Sequence, residues 1–407
     1  MNSHKPLHKL SGLFLAIVFL VGCAAPPAPP TLSPIIPPPP TFPPPPPTFP
    51  PLTPLGEVVQ PTAQSELFKF IQTIQVTPDD QFLTGCFARI HYVPATDRFV
   101  VLFDGILAKP AGNCTDAGNS YKEYTTDMQE TGKVGTFACE PLDEGSLMVD
   151  NALYFAVIHR ESEQDGWHLL KIDATDWTTL IDKFHALDSP VDNPMDPMVT
   201  FVNGQLDISS QYTVKGEPPN SETPAGDYGT HHNFFSPDLE SQGKMILTEP
   251  PHVNGSYMVY VEGVYYLVTS NLFDGDVLVA KYDKDWKYLG GKTLIEQAHF
   301  STGLVYDGQR FYLAYTDTRQ RTDPGFFPVY LNIRLAAFDR DWNLLDDVAV
   351  TSYTPQDGKQ PGRPWVILHG NRLYVSYDVD IVDPATHTEY LQWQAYVSVY
   401  ELRKGAP

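Results

Sequence analysis

A short motif recurs five times along this chain: Tyr124-Thr-Thr-Asp127-Met128, Ile172-Asp-Ala-Thr-Asp176-Trp177, Phe235-Ser-Pro-Asp238-Leu239, Tyr282-Asp-Lys-Asp285-Trp286 and Phe338-Asp-Arg-Asp341-Trp342. In each, an apolar residue leads into a polar turn, and an aspartate precedes a bulky apolar side chain. The copies are spaced roughly 47 to 62 residues apart, the period of a propeller blade. Upstream of each lies a pair of alternating segments around a turn dipeptide. Val199 to Ile208 surround Asn203-Gly204, Tyr257 to Val268 surround Glu262-Gly263, and Leu304 to Tyr315 surround Asp307-Gly308. Asp150-Asn151 and His369-Gly370 hold the same place in Leu147 to Val157 and Trp365 to Tyr377. Such dipeptides tolerate the positive φ of primed hairpin turns.

Each unit therefore reads as two inner strands, a longer loop, a third strand entering the aspartate turn and a fourth leaving it. This is an all-β chain of four-stranded propeller blades. The aspartate is expected to cap its turn, and the following Trp, Leu or Met to pack between blades. With the hairpin of Arg89 to Phe103, six units are counted, five being the alternative. The last unit stops at its third strand, Tyr396 to Leu402, and Lys69 to Val76 are expected to supply the fourth, removing an open sheet edge.

The amino terminus has a different character. Lys5 and Lys9 precede an apolar run, Leu13 to Leu20, that is too short to span a bilayer as a helix and reads as an export signal. Leu20-Val21-Gly22-Cys23 resembles the lipobox of bacterial lipoproteins, which implies acylation of Cys23, cleavage before it and attachment to a lipid bilayer. Proline dominates Pro26 to Pro54, so this stretch is expected to be a polyproline II stalk of up to roughly 90 Å. The expected organisation is a signal over 1–22, a tether over 23–61 and a propeller over 62–407, exported and anchored at the cell envelope or surface. A net charge of -22 excludes nucleic acid as a partner and leaves the acyl chains to supply membrane affinity.

Beyond Cys23 the chain has Cys86, Cys114 and Cys139, an odd number for an oxidising compartment. Cys114 and Cys139 fall in loops of one repeat unit and are paired in this reading, leaving Cys86 in an apolar run as a buried thiol. Three cysteines allow three single pairings.

The segments entering the innermost strands should converge at one end of the channel. They carry Asp143, Asp196, Glu249, His252, His299 and Arg363. Asp196-Pro197-Met198-Val199 before Asn203-Gly204, Glu249-Pro250-Pro251-His252 before Tyr257, and His299-Phe300-Ser301 before Asp307-Gly308 resemble the arabinanase and β-xylosidase family of five-bladed propeller glycosidases. The resemblance covers about a third of the chain. It implies that Glu249 is a general acid, that Asp196 orients or tunes it, and that His299 lies near the axis. Asp143, His252, His299 and Arg363 are then candidate sugar contacts. The first unit departs from the family pattern: Thr84-Gly85 stand where its catalytic-base aspartate belongs, with Asp79 and Asp80 several residues early.

Each of these residues also has a structural reading. Asp196 before Pro197 is ordinary turn chemistry, and Arg363 can simply neutralise nearby carboxylates. Tyr265, Tyr266, Phe311 and Tyr312 read mostly as core. His231-His232 lacks a third ligand for zinc at suitable spacing, and Asp378, Asp380 and Asp383 are the candidates for oxygen-liganded Ca2+. Two functions follow: a surface protein that binds or hydrolyses carbohydrate, and a noncatalytic scaffold for another envelope protein.

Overall fold

A computed structural model describes residues 65–77, 85–105, 119–138, 145–161, 164–187, 197–213, 228–247, 256–271, 276–319, 331–354, 357–382 and 390–403. The chain divides into two compact units, Met1–Val58 and Val59–Pro407, and every described residue belongs to the second. Cys23, the proline-rich stretch, Cys114 and Cys139 lie outside the described residues.

The second unit is a six-bladed β-propeller. Strand β1 (Phe68–Gln75) comes first in the chain. The first blade is β2 (Cys86–Val93), β3 (Arg98–Asp104), β4 (Asn119–Tyr124) and β5 (Glu130–Ala138). The second is β6 (Ser146–Val149), β7 (Ala152–Glu161), β8 (Gln164–Asp173) and β9 (Thr178–Ala186). The third is β10 (Met198–Val202), β11 (Gln205–Thr213), β12 (Tyr228–Phe235) and β13 (Ser241–Leu247). The fourth is β14 (Tyr257–Val261), β15 (Val264–Asn271), β16 (Asp276–Asp283) and β17 (Tyr288–Ile295). The fifth is β18 (Ala298–Tyr306), β19 (Phe311–Asp317), β20 (Asn332–Phe338) and β21 (Leu344–Ala349). In the sixth, β22 (Lys359–His369), β23 (Arg372–Val382) and β24 (Tyr390–Leu402) are completed by β1. Each first strand touches the next around the ring, and β22 returns to β2.

Alternation of apolar and polar side chains sets the register of the inner hairpins. Val202 pairs with Gln205 and Val261 with Val264, so Asn203-Gly204 and Glu262-Gly263 form the turns as expected, all four at positive φ. In the sixth blade the turn sits one residue later than expected. His369 pairs with Arg372, and the turn is Gly370-Asn371, because Gly370 takes the left-handed conformation at φ 60°.

The five repeated turns also differ from expectation in one respect. The main capping group is the polar residue two or three positions before the motif aspartate, although in the second turn Asp176 also caps as expected, its Oδ1 accepting the Thr178 N–H at 2.9 Å. Asp283 Oδ1 accepts the N–H groups of Asp285 and Lys287, and Asp339 Oδ1 those of Asp341 and Asn343. Ser236 Oγ accepts from Asp238 and Glu240, Asp173 Oδ1 from Thr175, and Thr125 Oγ1 from Gln129. The backbone N–H groups of the turn close around that earlier side chain, so Asp127, Asp176, Asp238, Asp285 and Asp341 are exposed at the tip.

The residue after each tip aspartate is strained into positive φ: Met128 at 59°, Trp177 at 64°, Leu239 at 58°, Trp286 at 63° and Trp342 at 63°. That conformation turns the large side chain back between neighbouring blades. Trp177 stacks at 3.7 Å on Tyr121 of the preceding blade. Trp342 stacks at 4.2 Å on Phe311 of its own blade and lies 5.7 Å from Tyr266 of the preceding one. The expected packing between blades is present.

Side chains fill the axis. The Trp365 ring from the sixth blade meets Tyr257 of the fourth at 5.3 Å and His91 of the first at 5.9 Å, and the Arg89 guanidinium lies 5.4 Å over it. Gly303 of the fifth blade permits this closeness, since a Cβ there would come within 2.5 Å of the Val366 nitrogen. All of Trp365, His91, Arg89 and Tyr257 are buried.

Closure of the ring follows the expected scheme, with β1 one residue earlier than Lys69 to Val76. Phe68 pairs with Leu402 and Gln75 with Tyr396, and Thr73 shares a 2.8 Å hydrogen bond with Ser398. Deleting Phe68–Gln75 is therefore expected to lower the melting temperature by about 10 °C or more, whereas deleting Pro26 to Pro54 should shift it by no more than about 1 °C, both read by calorimetry.

Candidate functional site

Inner strands β2 and β22 both break register where they enter the ring. β2 bulges between Cys86 and Arg89, and β22 between Gly362 and Trp365. Inside these bulges Phe87 has φ 52° and Arg363 φ 49°, conformations that side-chain-bearing residues seldom adopt. Backbone strain of this kind, in two adjacent strands at the same mouth, marks the junction of the sixth and first blades as the candidate site.

The bulges present an interlocked set of charges. Arg363 Nη1 donates to Asp378 Oδ2 at 2.9 Å and lies 3.7 Å from Asp380 Oδ1. Asp378 and Asp380 stand two residues apart on β23, so they share a face. Asp378 Oδ2 also accepts the Phe87 N–H at 2.7 Å, which ties the bulge of the first blade to the sixth. Arg89 Nη1 donates to the Arg363 carbonyl at 2.9 Å, and the Arg363 guanidinium sits 4.7 Å over the Phe87 ring. Directly across from Cys86, Asp104 Oδ2 accepts the Cys86 thiol at 3.8 Å. Trp393 lies opposite Asp380 in register and hydrogen-bonds it.

Crowding these groups at a partly covered mouth changes their proton affinity. Burial and the neighbouring Asp378 raise the Asp380 carboxyl to about 7, with Arg363 acting against them. Burial raises Asp104 to about 6, opposed by the hydrogen bond from Cys86. Burial, reinforced by Asp378 and Asp104, pushes the Cys86 thiol upward, so it is a buried neutral thiol rather than a nucleophile. Deeper in the axis, burial and the Arg89 charge depress His91 to about 3, leaving a neutral ring that shares a 3.0 Å hydrogen bond with Ser146 Oγ. The mouth thus offers a carboxyl that exchanges its proton near neutrality, beside a partly exposed guanidinium.

Two other polar networks are self-contained. In the third blade His232 Nδ1 pairs with Asp207 Oδ2 at 2.9 Å and its Nε2 with Thr230 Oγ1 at 2.8 Å, all with no solvent exposure. The His231-His232 pair is thus core. In the fifth blade Arg319 binds Asp317 through two nitrogens, and Arg334 binds Asp347 at 3.0 Å. Tyr265, Phe311 and Tyr312 are buried and Tyr266 half-buried, the expected core positions.

Of the residues singled out from the sequence, Arg363 occupies the mouth, and its partners are Asp378 and Asp380. Asp143, Asp196, Glu249 and His252 lie outside the described residues. His299 belongs to β18, paired with Thr316, and its side chain lies outside them too. Asp378 and Asp380, considered above for Ca2+, have Arg363 as their cation. Asp383 is outside the described set, and among the described residues no group of three or more His, Cys, Asp or Glu side chains could hold a metal ion. Sequence reasoning missed Phe87, Asp104 and Trp393, none of which stands in a recognisable motif.

The sequence matches no protein-family model, and no curated protein matches it. Solved structures with the same fold exist at low identity. The phage phi92 endosialidase aligns with a TM-score of 0.52 at 10% identity, covering 83% of this chain and 70% of that one. The neuraminidase-like protein of A/flat-faced bat/Peru/033/2010 aligns with a TM-score of 0.50 at 10% identity, covering 83% and 96%. These establish likeness of fold. The five-bladed glycosidases that three segments of the sequence resemble have one blade fewer than this ring.

The shifted groups set a pH dependence. Asp380 and Asp104 have folded values above the unfolded carboxyl value of about 4, so the folded chain holds protons that the unfolded chain releases, and stability falls as pH rises from about 4 to 7. His91 acts oppositely: its folded value lies below the unfolded value of about 6.5, and its contribution is lost as pH falls from there towards 3. Two carboxyls outweigh one imidazole. Denaturant unfolding should show higher stability at pH 5 than at pH 8, and Asp380→Asn should reduce that gain by about 1–3 kcal/mol.

Proposed function

We propose that this protein is a lipid-anchored lipoprotein of the cell envelope whose propeller binds carbohydrate at the mouth between the sixth and first blades. The observation that carries the reading is the donor and acceptor set at that mouth. Arg363 and Asp380, with 29% and 14% of their side chains exposed, present a guanidinium and a carboxyl at the mouth above the buried Asp378. Sugar hydroxyls both donate and accept, so they satisfy such a mixed set, and the flanking Phe87 and Trp393 supply apolar faces for the ring. The names of two structures with this fold, an endosialidase and a neuraminidase-like protein, point to the same ligand class, as analogy of fold.

The filled axis confines a ligand to the mouth, which favours binding over threading of a polymer. Hydrolysis is the second reading. It is favoured by Asp380, whose raised proton affinity suits an acid near neutrality. By the resemblance to the propeller glycosidases, Glu249 would be the general acid and Asp196 the residue that orients or tunes it. Asp143, His252 and His299 are the further candidate contacts. A noncatalytic scaffold for another envelope protein is the reading that remains if no sugar binds.

Cys23→Ser should move the protein from the membrane to the soluble fraction or leave an uncleaved precursor; membrane fractionation with an unchanged mature N-terminus would refute the anchor. On a glycan array, Arg363→Met and Asp378→Asn should each weaken binding by about tenfold or more, in line with loss of a charge-assisted hydrogen bond. Absence of any bound glycan for the unaltered protein overturns the carbohydrate reading.

A further inference from the structure

Between the fifth and sixth blades the propeller wall opens into a groove of about 570 Å3, a volume within the range of ligand pockets. Its flanks are the outermost strands of the two blades, β21 and β1. Phe68, Tyr400 and Val348 form its buried apolar floor, and Phe70 stands on it with 55% of its surface exposed. Tyr400 meets the Phe70 ring edge-on at 5.6 Å and donates to the Ala349 carbonyl at 3.4 Å, which ties the floor across both blades. Among the described residues that line the groove, Lys69 and Arg403 carry the only charges, and both are exposed. In a chain of net charge -22 this is a local reversal of sign.

The acids nearby do not cancel that charge. Asp346 accepts from the Ser65 hydroxyl and the Leu67 N–H, and Glu66 is exposed outside the lining. Glu401 pairs with Lys69 at 3.4 Å, with 36% and 58% of the two side chains exposed, so the pair contributes little and a ligand carboxylate can replace it. Residues 64 and 404, which continue the chain from Ser65 and Arg403, lie outside the described residues. Backbone groups add a second kind of contact. Among the described residues β1 pairs only with β24 and β21 only with β20, so the outer side of each strand has N–H and C=O groups with no partner strand. An extended peptide offers both donors and acceptors to such an edge, whereas an acyl chain offers neither. β1 breaks register between Phe70 and Gln72, which leaves Phe70 and Ile71 exposed in succession. A bulge and a lysine deter the long, flat pairing of two sheet edges, which favours a short segment over the edge of a second copy.

We propose that the groove between the fifth and sixth blades is a docking site for a short acidic segment of another protein, bound in extended form along β1, with its apolar side chains against Phe70 and Tyr400 and its carboxylates on Lys69 and Arg403. The apolar floor supplies the anchor, and the two exposed cations steer the approach and select the partner. Because those cations are exposed, affinity falls with salt. The groove shares no residue with the mouth between the sixth and first blades, so this site stands or falls independently of the carbohydrate reading.

The test applies the full-length protein in detergent to an array of decapeptides in which Asp or Glu alternates with Leu, Ile, Val or Phe, beside the same set with Lys at the acidic positions. Acidic peptides should bind at least about tenfold tighter than their Lys counterparts at pH 7, and salt should weaken them. Lys69→Glu combined with Arg403→Glu should reduce binding by about tenfold or more, and Phe70→Ser should do the same without altering any charge. All three side chains are exposed, so the variants should keep the melting temperature of the unaltered protein. Methylating alternate backbone nitrogens of a bound peptide should also weaken it by about tenfold, since each methyl removes a donor to the strand edge. Absence of any bound acidic peptide, or binding that survives the charge reversals, overturns the proposal. Binding that appears only after deletion of residues 404–407 assigns the groove to the chain's own tail and overturns it as well.

Discussion

The pairing of β1 with β24 is the contact on which the ring depends. A propeller is a linear series of sheets until its ends meet, and the sixth blade has only three strands until residues more than 300 positions away complete it. Without β1 the edge of β24 would present its N–H and C=O groups to solvent, and β22 would pack against β2 from an incomplete sheet. The closing strand also brings Val76 into hydrogen bonding with Ala395, and Gly85, just ahead of β2, with Trp393, so ring closure and the site's aromatic wall share one segment of β24.

From that closure follows the position of the site. The sixth and first blades are the two that chain order holds furthest apart, and the strained bulges at Phe87 and Arg363 meet at their junction. Strain of this kind persists only where the surroundings over-determine it. Here the Phe87 N–H bond to Asp378 and the Arg89 bond to the Arg363 carbonyl do so. The axis below is occupied by Trp365, His91 and Tyr257, so the mouth has a packed floor. Such a floor gives rigidity to the charges above it.

Comparison of the polar networks clarifies why this junction stands apart. Asp207, His232 and Thr230 satisfy one another in the third blade, and the Asp317, Arg319, Arg334 and Asp347 set does so in the fifth with four charges in balance. Networks completed in this way specify packing. At the mouth Asp378 Oδ1 and Asp380 Oδ1 are buried with no hydrogen-bond donor among the described residues, and the Asp380 carboxyl has its proton affinity moved to about 7.

Much of the fold could be read in the sequence because its determinants are local. Alternation of side chains fixed the inner hairpins, Asn203-Gly204 and Glu262-Gly263 fixed their turns, and the residues before Trp177, Trp286 and Trp342 announced the outer ones. The misplaced cap at Asp285 and Asp341 arose because several polar residues in one turn compete for the same N–H groups, and only the backbone path selects Asp283 and Asp339. Arg363 was legible as a charge entering an inner strand. Its partners Asp378 and Asp380 were visible only as an acidic cluster, while Phe87, Asp104 and Trp393 carried no local sign. Sequence by itself determined the repeat, the blade count and the closing strand, since each follows from periodicity and from the need to cover a sheet edge. Only the tertiary structure decided which charges meet, because two bulges and a ring closure bring together side chains that the chain keeps far apart, and burial then sets their chemistry.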